Sequence, residues 1–230
     1  PRTRVVRSLL EYITTKRPTV VLLENVANAL RIDGGSQFHE VRASLQGAGY
    51  HVHWRIVCPK DVGIPMRRSR LYIVAIQEQF DFAWPTARGA NISLLDYIGP
   101  APPGAHAVGP PLGPRGGRWN QDNCFVHSQI LQELGEQPDA PWIANLHESL
   151  RFAHRLKGEV PCLTRRSQPW IFSHGRYVTT EECSSGFGDM KICVSDSQFR
   201  AMLGNSMSVD VLVALLSALM PVLRPEAPIS

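Results

Sequence analysis

Three short stretches of this 230-residue chain pair reactive residue types with positions from which they could act. Glu24-Asn25-Val26 directly follows the apolar run Thr19-Val20-Val21-Leu22-Leu23. Such a run suits a buried parallel strand, and the residue at its C-terminal end stands where α/β sheets place their ligand sites. A carboxylate there can serve a ligand or simply cap the following turn, and three residues alone leave both readings open. The second stretch is Arg67-Arg68-Ser69-Arg70, at the mouth of the next apolar run. Period-two spacing points Arg68 and Arg70 the same way, either into a binding site or along a solvated basic edge that blocks strand pairing. The third, Gln198 to Ser206, ends in a Gly204-Asn205-Ser206 turn that is either part of a site or an ordinary helix N-cap.

Alternating elements would hold these groups. Val6, Leu10 and Ile13 recur at helical spacing, and Pro18 stops that helix before the first strand. Phe38, Val41 and Leu45 mark a second amphipathic helix ended near Gly47 or Gly49, after which Val52, Trp54 and Ile56 alternate along a strand from His51 to Cys58. Leu71 to Ile76 reads as a further strand, and the alternation predicts an α/β layer. Six glycines and six prolines between Gly99 and Gly117 predict a loop or linker near a domain boundary. Farther on, short helical patterns occur at Ile130, Leu131 and Leu134 and at Leu146, Leu150 and Phe152. Ser208 to Met220 is apolar on nearly every face and predicts a helix buried against a larger body.

Composition narrows the classes. Hydrophobic residues make up 43% and charged residues 19%, which excludes wholesale disorder and fibrous repeats. The most apolar segment, Val211 to Leu223, contains Pro221 and is shorter than the roughly 20 residues that span a bilayer, so no transmembrane helix is expected. The formal charge is +4, and with only four lysines, arginine supplies 20 of the 24 basic residues. Arginine's planar fork suits phosphates and base edges, which fits a nucleic-acid partner. Five cysteines without a C-x-x-C pair suggest neither a zinc ribbon nor a full disulfide framework, and predict a reducing compartment.

In order and spacing, the three stretches resemble the later motifs of the DNA (cytosine-5) methyltransferase family. Arg17-Pro18-Thr19-Val20-Val21-Leu22-Leu23-Glu24-Asn25-Val26 is similar to the family's strand ending in Glu-Asn-Val. Gly49-Tyr50-His51-Val52 and Lys60-Asp61-Val62-Gly63-Ile64-Pro65 resemble the segment leading into its Gln-x-Arg-x-Arg motif. Arg176 to Glu182 resembles the return from its target-recognition insert, and Gly204-Asn205-Ser206 closes the pattern. Met66 stands where the family usually has Gln, and Cys183-Ser184-Ser185-Gly186-Phe187 is shorter and more polar than the family's Arg-Leu-Gln-Gly-Phe run. The family's Phe-x-Gly-x-Gly cofactor loop and Pro-Cys-Gln nucleophile loop are expected upstream of residue 1. Pro161-Cys162 and Phe187-Gly188 do not replace them, because neither lies in the required strand-turn-helix setting.

The resemblance implies a partial Rossmann-like, S-adenosylmethionine-dependent methyltransferase fold of α/β class. Residues 1–80 would be the C-terminal half of the catalytic domain, 81–175 the target-recognition region with its linker, and 176–230 the return to the catalytic domain. Glu24 would contact ring nitrogen 3 and the exocyclic amine of a flipped cytosine, and Arg68 and Arg70 would steady the base and its phosphate. Asn205 and Ser206 would shape the S-adenosylmethionine pocket. Asn25, Arg165, Arg166 and Arg176 would contact substrate, the arginines through phosphate. The implied partners are DNA and a separate N-terminal half or subunit, with no metal and no membrane, in the nucleus of a eukaryote or the cytoplasm of a bacterium. The chain alone is expected to be inactive. Two rival readings are an inactive nucleic-acid-binding or subunit-pairing fragment and an RNA cytosine methyltransferase.

Overall fold

Helix α1 (Arg2–Lys16) buries Leu10 and Ile13, and its chain exits through Arg17, held at φ 48 just before Pro18. Three groups fix this exit: Arg17 Nη1 donates to the Ala48 carbonyl, Tyr50 Oη to the Pro18 carbonyl and Gln77 Nε2 to the Arg17 carbonyl. β1 (Val20–Val26) follows, then two 3-10 turns (Ala27–Leu30 and Ile32–Gly35), α2 (Ser36–Gly47), β2 (His51–Val57) and β3 (Arg70–Ile76). Gly35 is obligatory: at φ 77 a Cβ would lie 2.8 Å from the Leu30 carbonyl oxygen. A computed structural model of the chain describes residues 2–86, 92–99, 117–137, 139–151, 154–164, 167–185 and 193–223.

The described chain divides into two compact units. The first contains residues up to Cys58, Ser69–Thr86 and the stretch from Val213 onward. Its sheet has the order β1-β3-β2, with β3 antiparallel to both neighbours. This corrects the expected parallel strand at Val20: β1 pairs antiparallel with β3, Val20 opposite Ile76 and Val26 opposite Arg70. β3 is buried from Leu71 through Ile76, so it takes the centre and separates β1 from β2. One face of the sheet, with Val21, Leu71, Ile73 and Ala75, packs in a single apolar core with Leu10, Ile13, Phe38, Val41 and Leu45 of α1 and α2. The rings of Trp54 and Phe38 meet edge-on at 5.0 Å on this side. The opposite face carries Glu24, Arg70, Tyr72, Val74 and His53, and Phe82 stands 5.8 Å from the His53 ring.

The second unit takes Pro59–Arg68 and the chain that ends at Leu212. It contains α3 (Leu94–Ile98), α4 (Gly117–Glu133), the short strands β4 (Trp142–Asn145), β5 (Leu156–Lys157), β6 (Pro169–Ile171) and β7 (Arg176–Tyr177), then α5 (Thr180–Ser185) and α6 (Asp196–Asn205). The strands form one antiparallel sheet in the order β5-β4-β6-β7. Leu146 is therefore buried just past a strand, not on the helix its spacing predicts, and the expected linker falls largely outside the described residues. The expected boundaries also move. Residues 59–68 and 176–212 group with this unit because Ile64, Met66, Val178, Cys183, Phe199 and Leu203 share one apolar core with Ile143, Val160 and Ile171. Met66, fully buried there, is an apolar residue at a position where a Gln would need buried partners.

Helix α7 (Val209–Leu223) is not buried all round as expected. Val211, Leu215 and Leu219 recur every four residues on its buried stripe, while Val213 and Leu216 are 56% and 45% exposed, and Pro221 is accommodated in its last turn. Ser197–Leu223 is the one stretch among the described residues apolar and long enough to cross a membrane by length and composition, but it consists of two helices parted at Ser206–Ser208.

Candidate functional site

Glu24 lies near the C-terminal end of β1 and Arg70 opens β3. Val26 pairs with Arg70 and Glu24 with Tyr72, so Glu24 and Arg70 are diagonal neighbours on one face of the sheet. Arg70 Nε lies 3.0 Å from Glu24 Oε1, and Arg70 Nη1 donates to the Ser69 carbonyl. The two side chains are 24% and 13% exposed, so a hydrogen-bonded carboxylate with its rim open to a ligand is fixed at the end of a rigid sheet. Asn25 points to the other face, opposite Leu71, and its Oδ1 accepts from the Val26 amide at 2.8 Å.

Arg68 does not share this arrangement, although only Ser69 separates it from Arg70. β3 begins at Arg70, so strand periodicity does not extend to Arg68. Arg68 belongs to the second unit, is 3% exposed, and donates from Nη1 to the Leu163 carbonyl at 2.7 Å. Nη2 donates to the Gly204 carbonyl at 3.0 Å and the Ser206 carbonyl at 2.7 Å. The loop carrying it is pinned beside Val160, whose carbonyl accepts from the Arg67 amide at 2.8 Å while its own amide donates to the Pro65 carbonyl at 2.7 Å. Glu159 draws in Arg67 at 2.9 Å and Lys60 at 3.5 Å.

Gly204 and Asn205 are the last residues of α6, and Ser206 is its C-cap, so the turn expected here closes one helix and is not the N-cap of the next. Ser206 Oγ donates to the Leu203 carbonyl at 2.9 Å, and Asn205 is exposed. At the other end of α6, Gln198 Oε1 accepts from the Ser195 amide. Arg176 is spent within the second unit: Nη1 and Nη2 grip the two carboxylate oxygens of Glu182 at 2.8 and 2.7 Å, and Nη2 also reaches the Ile98 carbonyl. Burial would raise the Glu182 pKa, but the Arg176 fork and the Thr179 amide outweigh it and hold the carboxyl below its ordinary value. A phosphate role for Arg176 would have to break this bidentate pair. Arg165 and Arg166 lie outside the described residues.

Sequence reasoning missed a buried polar network around α4. Asn123 Nδ2 donates to the Leu146 and Glu148 carbonyls, Asn120 Nδ2 to Tyr177 Oη, and His127 Nδ1 meets Arg155 Nη1 at 3.0 Å. The spacing 120, 123, 127 is helical, but polar residues on an inward stripe look like a solvated face in sequence. Burial and the adjacent Arg155 cation push the His127 pKa down to about 4. Burial also pushes the Cys124 and Cys183 thiols up to about 11, which leaves both as poor nucleophiles. None of the five cysteines is in a disulfide, and among the described residues no cluster of His, Cys, Asp or Glu is placed to hold a metal ion.

Residues 1–107 match the family model of C-5 cytosine-specific DNA methylase. The chain is 35% identical over 217 residues to Type II methyltransferase M.NgoBI of Neisseria gonorrhoeae, covering 90% of this chain and 62% of that protein. It is 28% identical over 216 residues to Type II methyltransferase M.SsoII of Shigella sonnei, covering 88% and 53%. It thus spans between about half and three-fifths of the length of these curated relatives. Among solved structures, the methyltransferase EhMeth of Entamoeba histolytica superposes with a TM-score of 0.58 at 18% identity, covering 95% of this chain and 69% of that one. A DNA modification methyltransferase encoded within an E. coli prophage superposes with a TM-score of 0.63 at 16% identity, covering 94% and 72%. The α/β fold is that of such methyltransferases.

Proposed function

We propose that the chain, whose residues 1–107 match the family model of C-5 cytosine-specific DNA methylase, belongs to that family and supplies the base-recognition and target-recognition part of a DNA (cytosine-5) methyltransferase. The observation that carries this reading is the Glu24–Arg70 pair at the sheet end, 3.0 Å apart and partly exposed. Attack on carbon 6 of cytosine places electron density on ring nitrogen 3, and a carboxyl group there can deliver a proton or hydrogen bond as that charge appears. Arg70 fixes Glu24 without consuming both carboxylate oxygens, so one edge of the group stays available to the base. A paired cytosine cannot reach this edge, so the base is extruded from the duplex, at a cost of a few kcal/mol offset by contacts elsewhere. Phosphate contacts are assigned to Arg165 and Arg166.

S-adenosylmethionine, when bound, supplies the methyl group. The exposed Asn205 amide has the donor and acceptor needed for a polar ligand of this kind, whereas the Ser206 hydroxyl is already engaged by the Leu203 carbonyl. Asn205 would therefore hold the cofactor through its side chain, while Ser206, whose carbonyl accepts from Arg68 and whose amide donates to the Leu203 carbonyl, would shape the pocket by fixing the end of α6. The thiolate nucleophile and Gly-rich cofactor loop would come from the portion of the relatives' length that this chain does not match, in cis or as a separate subunit.

Methyl transfer from tritiated S-adenosylmethionine to duplex DNA tests this reading. The 230-residue chain alone should transfer nothing, and adding the complementary half should label carbon 5 of cytosine in DNA. Robust transfer by the chain alone would contradict the division of labour. Label appearing only on transfer RNA would establish the RNA reading, and binding without transfer in every combination would establish the inactive-fragment reading.

A further inference from the structure

A buried arginine must find partners for its charge and its N–H donors, or its burial is costly. Arg68 engages both terminal nitrogens, Nη1 at the Leu163 carbonyl and Nη2 at the C-terminus of α6. The last carbonyls of a helix lack intrahelical partners and carry the negative end of its dipole, so a cation placed there satisfies both deficits. Nη2 bridges the Gly204 and Ser206 carbonyls, one on either side of Asn205, while Nη1 ties the same guanidinium to the Leu163 carbonyl. With Nη1 and Nη2 committed to these carbonyls and the residue 3% exposed, neither terminal nitrogen is presented to a base or a phosphate.

We propose that Arg68 is a positioning residue that caps α6 from outside the helix and fixes the place from which Asn205 presents its amide, and that it makes no contact with the flipped base. Because Asn205 is the proposed cofactor contact, this assigns Arg68 to the cofactor end of the reaction and separates its role from that of Arg70. Lysine cannot substitute, since a compact ammonium lacks the planar fork that spans carbonyls from separate segments. The assignment of Arg68 as a helix cap stands on geometry alone, and only its effect on the cofactor rests on the proposed function.

Two readouts on Arg68→Lys test it. In the isolated chain, amide exchange at Asn205 and Ser206 should speed up by about tenfold to a hundredfold, the cost of losing one or two charge-assisted hydrogen bonds. Exchange along β3 in the other unit should keep its parent rate, which also reports that the variant is folded. Arg68→Gln retains two N–H donors without the charge and serves as a second variant, with the same loss of protection at 205–206. In a complemented, methylating assembly, Arg68→Lys should raise the KM for S-adenosylmethionine about tenfold while kcat and duplex affinity hold. Unchanged exchange at 205–206 in both variants would overturn the proposal, as would a loss of kcat or of base extrusion at constant cofactor KM. If no assembly methylates DNA, the proposed function fails while the exchange result still decides the role of Arg68.

Discussion

The two units hold themselves together by different means. In the first, the interior is apolar: Leu10, Ile13, Val21, Phe38, Val41, Leu45, Leu71, Ile73 and Ala75 form one core. In the second, the apolar core is accompanied by every buried polar or charged side chain among the described residues, including Arg68, Asn120, Asn123, His127, Asn145, Ser167, His174 and Thr180. Apolar packing depends on volume and tolerates approximate geometry, whereas a buried polar network depends on each partner being present. The first unit is thus a rigid platform for Glu24 and Arg70, and the second is a set of short strands and helices kept in place by specific hydrogen bonds.

Paired substitutions sharpen this contrast. Leu45→Ala removes a fully buried side chain at the centre of the first core and should cost about 2–5 kcal/mol, read as accelerated amide exchange across β1 and β3. Asn145→Ala removes the donor to Ser167 and Glu148 and the acceptor for the Gln168 amide. It should cost about 2–4 kcal/mol, confined to the sheet of the second unit. If both variants destabilise the two units alike, the division into two kinds of interior is wrong.

A pH titration probes the polar interior further. His127 has a folded pKa of about 4 against an ordinary 6.5, so between those values the unfolded chain binds a proton that the folded chain refuses. Stability of the second unit should therefore be full above pH 6.5 and fall by about 2–3 kcal/mol as pH drops to 4, flattening below. His127→Gln should abolish that slope, and a slope that survives it would remove His127 as the cause. A smaller loss should follow at lower pH from Glu182, whose depressed pKa contributes stability that is present above the ordinary carboxylate range and lost as pH falls through the folded value. Glu182→Gln should remove this part of an acid unfolding curve while leaving the His127 slope in place.

The same contrast explains what could be read from sequence. Val52, Trp54 and Ile56 share one face of the sheet, with Val52 packed against the core and Trp54 against Phe38 of α2, and Leu71 to Ile76 form a strand as the apolar run predicts, because a core built by burial writes its period into the sequence. The antiparallel placement of β3 between β1 and β2 was not legible, since an apolar run does not reveal which neighbour it pairs with. In the second unit, β5 and β7 have two residues each and β6 three, too few for any alternation to show. What could have been read there is capping. Ser93 accepts from the Asp96 amide, and Thr179 and Glu182 satisfy each other's amides, both being S/T-x-x-acid signatures. At the candidate site, the resemblance located Glu24, Arg68 and Arg70, but only the fold separates the arginine that holds the carboxylate from the one that caps α6.

In the proposed function, Glu24, held by Arg70, meets ring nitrogen 3 of the extruded cytosine. The most direct test of this claim is single-turnover methyl transfer by a complemented assembly carrying Glu24→Gln, with duplex affinity and melting temperature measured on the same preparation. Glutamine keeps the shape of the side chain but cannot protonate the ring, so the rate should fall by about 10² to 10⁴-fold while affinity and melting temperature stay near the parent values. A rate equal to the parent's, or one that falls only together with the melting temperature, would contradict the claim and leave Glu24 as a structural partner of Arg70.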